Sequence, residues 1–152
     1  MTRRRLVDAD YERLLAFRIE LRRFLRHSEA VAHDAGLTPS LHQLLLAIRG
    51  AGATSDPGPT IGEAAAALDV RHHTAVELAQ RAEQLGLAQR TRDERDHRQV
   101  RLALTADGAR ALERLTRANL PALGELAARL ARVVADEADG GPASGRSARP
   151  GA

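Results

Sequence analysis

The chain has 152 residues, 43% of them hydrophobic and 28% charged, with a formal net charge of +3. That length is one domain's worth and can bury a core. The absence of cysteine excludes disulfides, thiolate metal sites and cysteine redox chemistry. No run of about 18 apolar residues is present to span a membrane, and Asp8, Asp10 and Glu12 interrupt the basic N-terminus before a signal-peptide core can form. A cytoplasmic protein without a membrane partner is expected.

Leu14, Phe17, Leu21, Phe24, Ser28, Val31 and Ala35 follow 3,4 spacing, which predicts a long helix from Tyr11 to Ala35, and Leu15, Ile19 and Leu25 start a second apolar stripe on it. A helix with two apolar faces buries both, one on its own core and the other on a second subunit. Gly36 stops it as the residue past the C-cap. Thr38-Pro39 opens the next helix, with threonine as N-cap and proline in the first turn, running through "SLHQLLLAIRG" to Gly50. "AGATSDPGP" is a turn-rich connection. Thr60 with Glu63 makes a capping-box pattern for the short helix "IGEAAAAL". A "DV" junction then leads into "RHHTAVELAQRAEQLG", whose Ala75, Leu78, Ala79, Ala82 and Leu85 form an apolar stripe. Helix, short turn, helix of this size is a helix-turn-helix pattern.

After Gly86 the period changes to two. "LAQRTR" and "RQVRLAL" flank the polar tip "DERDH" and predict a β-hairpin. Thr105 caps a second long helix with the stripe Leu112, Leu115, Leu120, Leu123, Leu126, Leu130 and Val133, bent near Pro121. The final "DGGPASGRSARPGA" has nothing to bury and is expected to be disordered.

The face of residues 71–86 opposite the apolar stripe carries His73, Val76, Glu77, Gln80 and Gln84, after Arg71 and His72. Amides, imidazoles and a branched apolar group suit the edges of bases in a major groove, which admits one helix by its N-terminal residues. Thr74 and the first amides suit phosphate. Gross charge is silent, since residues 60–105 hold seven arginines and seven acids.

The segment Leu37–Gly108 resembles the MarR family of bacterial winged helix-turn-helix transcription regulators. The resemblance lies in "GLTPSLHQLLLAIRG", "PTIGEAAAALDV", "HHTAVELAQRAEQLGL", the Asp-x-Arg of the wing as Asp96-His97-Arg98, and "LALTADG". It implies a mainly α fold with a small β-wing. Residues 37–105 would form the DNA-binding domain, residues 8–36 and 106–138 the helical dimerisation arms, and residues 139–152 a disordered tail. It further implies a homodimer on double-stranded DNA, acting as a repressor and released by a small-molecule effector. Arg98 would reach the minor groove, oriented by an ion pair to Asp96, with Arg95 as its neighbour. Ala64 and Ala82 stand where the family usually has larger aliphatics. Arg71 stands where a capping serine is common, so Asp69 is expected to help with the cap. Glu77 either accepts from a cytosine amino group or holds Arg81 one turn on.

The expected DNA-binding set is therefore Arg71, His72, His73, Thr74, Val76, Glu77, Gln80, Arg81, Arg95 and Arg98, with Asp96 orienting the wing. Phe17, Phe24 and His42 are the candidate effector pocket; the alternative for the rings is core or dimer packing, and for His42 a hydrogen-bonded place in the helix junction. His73 and Glu77 have metal spacing, but no third ligand is near, so no metal or cofactor is expected. HExxH, GxSxG, P-loop and paired-carboxylate patterns are missing, which argues against an enzyme. The alternative reading is a winged-helix module that binds protein.

Overall fold

The computed structural model describes residues 5–52 and 58–135. The disordered-tail expectation for 139–152, and most of the connection after Gly50, lie outside the described residues. The order of elements is α1 (Asp8–Asp34), α2 (Pro39–Gly52), α3 (Ile61–Leu68), α4 (His72–Gln84), β1 (Ala88–Arg92), β2 (Val100–Leu104) and α5 (Ala106–Ala135). The fold is mainly helical with a two-stranded antiparallel wing, as the pattern predicts. No helix among the described residues is long and apolar enough to cross a membrane.

The chain divides into two compact units, and the division falls inside the two long helices. One unit comprises residues 25–121 and holds the helix-turn-helix and the wing. Its punctuation is local and follows the sequence. α1 ends with Gly36 at φ 73°, where the Leu37 amide donates to Ala32 O and the Gly36 amide to His33 O, the paired bonds of a Schellman ending. Thr38 Oγ1 accepts from the Leu41 amide at 3.2 Å and so caps α2, which continues two residues beyond the expected Gly50. The Thr60–Glu63 capping box forms in both directions, at 3.1 Å and 2.8 Å.

The core of this unit joins Leu41, Leu44 and Ile48 of α2 to Ile61, Ala64 and Ala65 of α3, to Ala75, Ala79 and Ala82 of α4, and to Ala88 and Leu102 of the wing. Ala64 and Ala82, small where the family is usually larger, are 1% and 0% exposed. Alanines on both α3 and α4 let the two backbones approach closely, so small side chains close the motif rather than leaving it loose. Leu85 departs from its expected stripe: it is the C-cap of α4 and 42% exposed, because the helix ends before that residue turns inward.

The wing pairs Ala88 with Leu104 through to Arg92 with Val100. A bridge from Thr60 to Arg101, and a bond from the Leu102 amide to Pro59 O at 2.8 Å, tie β2 to the chain entering α3. At the other end of the hairpin, Thr105 Oγ1 donates to Gly86 O at 2.6 Å and accepts from the Gly108 amide at 3.0 Å, which caps α5.

The other unit contains, among the described residues, 5–24 and 122–135, the first part of α1 and the last part of α5. Arg129 bridges to Glu20 at 3.2 Å between them. None of its described residues is buried. Leu14, Leu15, Phe17, Ile19 and Leu21 are all exposed, so in a single chain residues of both apolar stripes are open. Pro121 lies inside α5, which continues as one helix through it.

Candidate nucleic-acid interface

α4 begins with an N-cap, Arg71, that has no side-chain cap bond. Asp69 does not supply one. It adopts the left-handed conformation at φ 53° and ends α3, with its backbone amide donating to Ala65 O and Ala66 O. The first amides of α4 are thus left without a side-chain acceptor at the end where the helix dipole favours an anion.

Burial sorts α4 cleanly. Ala75, Ala79 and Ala82 face inward, while Arg71, His72, His73, Glu77, Gln80 and Arg81 are exposed. Thr74 is half-buried. Val76 is half-buried too and packs against the core, so only part of it is offered outward. Of the two alternatives for Glu77, the pair with Arg81 is not made: neither side chain has an ion-pair partner among the described residues.

The wing tip is organised by a residue the motif reading passed over. Asp93, 6% exposed, accepts the Arg95 and Asp96 amides on Oδ1, each at 2.8 Å, and the Arg101 guanidinium on Oδ2. Arg101 also donates to Gly58 O at 2.6 Å. The Arg101 hydrogen bond, then the Asp96 amide, hold the Asp93 carboxyl at about 2 against the opposing effect of burial. The alternating pattern of the following strand marks Arg101 as one of its polar positions, but nothing local in the sequence joins it to Asp93. Asp96 acts differently from expectation. Its carboxylate accepts the Arg98 backbone amide at 3.1 Å and the Gln99 side-chain amide at 3.3 Å, with no ion pair to the Arg98 guanidinium. The turn is fixed through its backbone, and the Arg98 side chain stays exposed.

Between α4 and the wing runs a cleft of about 570 Å³ whose lining includes Gly62 and Glu63 of α3, His72 and Val76 of α4, and Arg90 and Arg98 of the wing. His72 and Arg98, distant in sequence, therefore face one depression. The zero net charge of residues 60–105 conceals how the charges are used. Glu83 neutralises Arg90 at 2.7 Å, Asp93 neutralises Arg101, and Glu63 and Asp96 are engaged with backbone amides. Arg71, Arg81, Arg92, Arg95 and Arg98 have no acid partner among the described residues. Arg71 at the uncapped start of α4, and Arg98 on the cleft that His72 also lines, suit a polyanion.

A family model described as MarR family matches residues 35–99. The winged-helix segment matches the MarR family. The MarR family comprises DNA-binding regulators of transcription, not enzymes. AbsC, a MarR family transcriptional regulator from Streptomyces coelicolor, superposes with a TM-score of 0.69 at 18% identity, over 90% of this chain and 93% of its own. A mutant MarR from E. coli, complexed with operator DNA, gives 0.64 at 22% identity, over 80% and 84%. BpsR of Bordetella bronchiseptica, in a structure concerned with regulation of its DNA binding by 6-hydroxynicotinic acid, gives 0.60 at 20%, over 82% and 91%. At these identities the three likenesses speak for the MarR fold. No curated protein matches the sequence.

The candidate effector residues divide between the units. Phe17, 40% exposed, and Phe24, half-buried, belong to the helical unit. His42 belongs to the winged-helix unit, where it is 4% exposed and its Nε2 has no hydrogen-bond partner. This replaces the expected hydrogen-bonded place at the helix junction. Burial lowers its pKa from the ordinary histidine value. Neither the cleft beside the wing nor a second one of about 510 Å³, lined by Arg49, Leu104 and part of α5, includes these three residues.

Proposed function

We propose that the chain is a homodimeric transcription regulator that binds a pseudo-palindromic operator in double-stranded DNA, as a repressor released by a small-molecule effector. The observation that carries this reading is the exposed, unpaired face of α4 next to a cleft bordered by Arg98. In this reading α4 enters the major groove, with His73, Gln80 and the open part of Val76 toward base edges. Arg71 and Thr74 contact phosphate. Arg95 and Arg98 enter the adjoining minor groove, where a narrow A·T-rich stretch concentrates negative potential, and Asp96 orients them through the turn backbone. Such a site of action is cytoplasmic.

The open apolar residues of α1 support a two-fold dimer, which would hold two α4 helices about one DNA turn, roughly 34 Å, apart. Occlusion of a promoter then gives repression. Ligand control is suggested by the regulation of BpsR by 6-hydroxynicotinic acid; here Phe17 and Phe24 are the rings proposed to stack on an effector.

Selection of bound fragments from random duplex DNA, followed by titration of the winning site with salt, tests the reading. A steep fall of affinity with salt is expected, because phosphate contacts release counterions, and Arg98→Ala should weaken binding by roughly 1–3 kcal/mol. Affinity independent of salt, or no enrichment, would refute it in favour of a protein-binding module.

A further inference from the structure

Acid–arginine pairs spaced three or four apart are a habit of this chain's helices. Asp10 pairs with Arg13, Glu20 with Arg23, Asp107 with Arg110, Glu113 with Arg117 and Glu125 with Arg129. Glu77 and Arg81 have the same favourable order and spacing on α4. They remain apart, and both side chains are exposed. The departure falls on the helix face proposed to meet DNA.

An unpaired carboxylate is an expensive group to bring among phosphates. It costs repulsion against every DNA sequence, and only a strong donor in the groove offsets that cost. Cytosine provides one, its N4 amino group, in the major groove. Adenine presents its N6 amino group beside the N7 acceptor, which repels the second carboxylate oxygen, while guanine and thymine present acceptors. We propose that Glu77 is a specificity-determining residue that selects a C·G pair at one position of each half-site and disfavours the other three pairs there. Arg81, one turn on, contacts phosphate and carries no base information. The inference rests on the DNA-binding reading above and deepens it.

The test uses the full chain and its Glu77→Ala, Glu77→Gln and Arg81→Ala variants, each put through selection from random duplex DNA and competition binding, with thermal melts to verify folding. The wild type should select cytosine at one symmetric position. Glu77→Ala should lose that preference by about tenfold or more and bind non-specific DNA more tightly, because the repulsion is gone. Glu77→Gln should move the preference toward adenine, since an amide matches N6 and N7 together. Arg81→Ala should weaken binding to all sequences and keep the cytosine. An enriched consensus that is unchanged by Glu77→Ala would overturn the assignment while leaving the DNA-binding reading intact. The same holds if Arg81→Ala abolishes the cytosine preference along with Glu77→Ala, the mark of an ion pair acting as a unit. A wild type that enriches no sequence overturns both.

Discussion

Asp93 illustrates how one buried carboxylate can set the shape of a wing. Two backbone amides and a guanidinium converge on it, and the ionised form is what they stabilise. Its folded pKa, about 2, lies below the ordinary 3.8, so its contribution is complete above the ordinary value and is lost as pH falls toward 2. Hydrogen exchange at the Arg95 and Asp96 amides should accelerate on acidification from pH 5 to 2.5 relative to other hairpin amides. Asp93→Asn should show fast exchange already at pH 5, with little further change, and a wild-type wing equally protected at both pH values would contradict this. His42 has the opposite chemistry. Burial disfavours its imidazolium, so the unfolded chain binds the proton more readily and stability falls as pH drops through the ordinary value of 6.5. Thermal melts at pH 7.5 and 5.5 should show that loss, and His42→Leu should reduce it at little cost at pH 7.5, since Nε2 has no partner to abandon. A loss of equal size in the variant would remove His42 as its source.

Among elements, the end of α4, the wing and the start of α5 are joined closely. Thr105 receives the Gly108 amide and donates to Gly86 O, and its own amide donates to Leu87 O at 3.1 Å. A Cβ on Gly108 would lie 1.8 Å from the Leu87 carbonyl oxygen, a backbone atom that cannot rotate aside. The Leu-Thr-x-x-Gly pattern is thus a packing requirement: only glycine lets the first turn of α5 sit on that strand entry. Gly108→Ala should destabilise the winged-helix unit by roughly 1–3 kcal/mol or more, by the overpacking argument. Gly124→Ala, with nothing near its Cβ, should be neutral or slightly stabilising. Urea melts of the two variants make the comparison, and equal midpoints would show that the joint yields freely.

For the whole molecule, the helical unit has leucines, an isoleucine and a phenylalanine open to solvent and no buried residue among those described. Exposed apolar residues collected on one unit mark an interface rather than a finished surface, and the proposed occupant is a second copy of the chain. Sedimentation at micromolar concentration should give a dimer. Leu15→Glu, at a position 60% exposed in the single chain, should shift it toward monomer while the winged-helix unit keeps its fold. A wild type that is monomeric and stable at that concentration would rule out the dimer, and with it the two-fold operator.

What the sequence determined by itself is the part of the fold written within a few residues. The capping bonds of Thr38, Thr60 with Glu63, Gly36 and Thr105 reach groups no more than four residues away, so cap, turn and period could be read directly. The Ala75, Ala79 and Ala82 stripe of α4 likewise follows from helix geometry alone. Tertiary structure decided what depends on distant neighbours. Arg101 meets Asp93 eight residues away and Gly58 forty-three away, which moved the centre of the wing from Asp96 to Asp93. It sealed His42 in the interior. It also kept Glu77 from Arg81, although local spacing alone favours their pairing. Whether a side chain is buried, paired or left open is settled by the sum of all its neighbours, and for these residues most of the neighbours are remote in the chain.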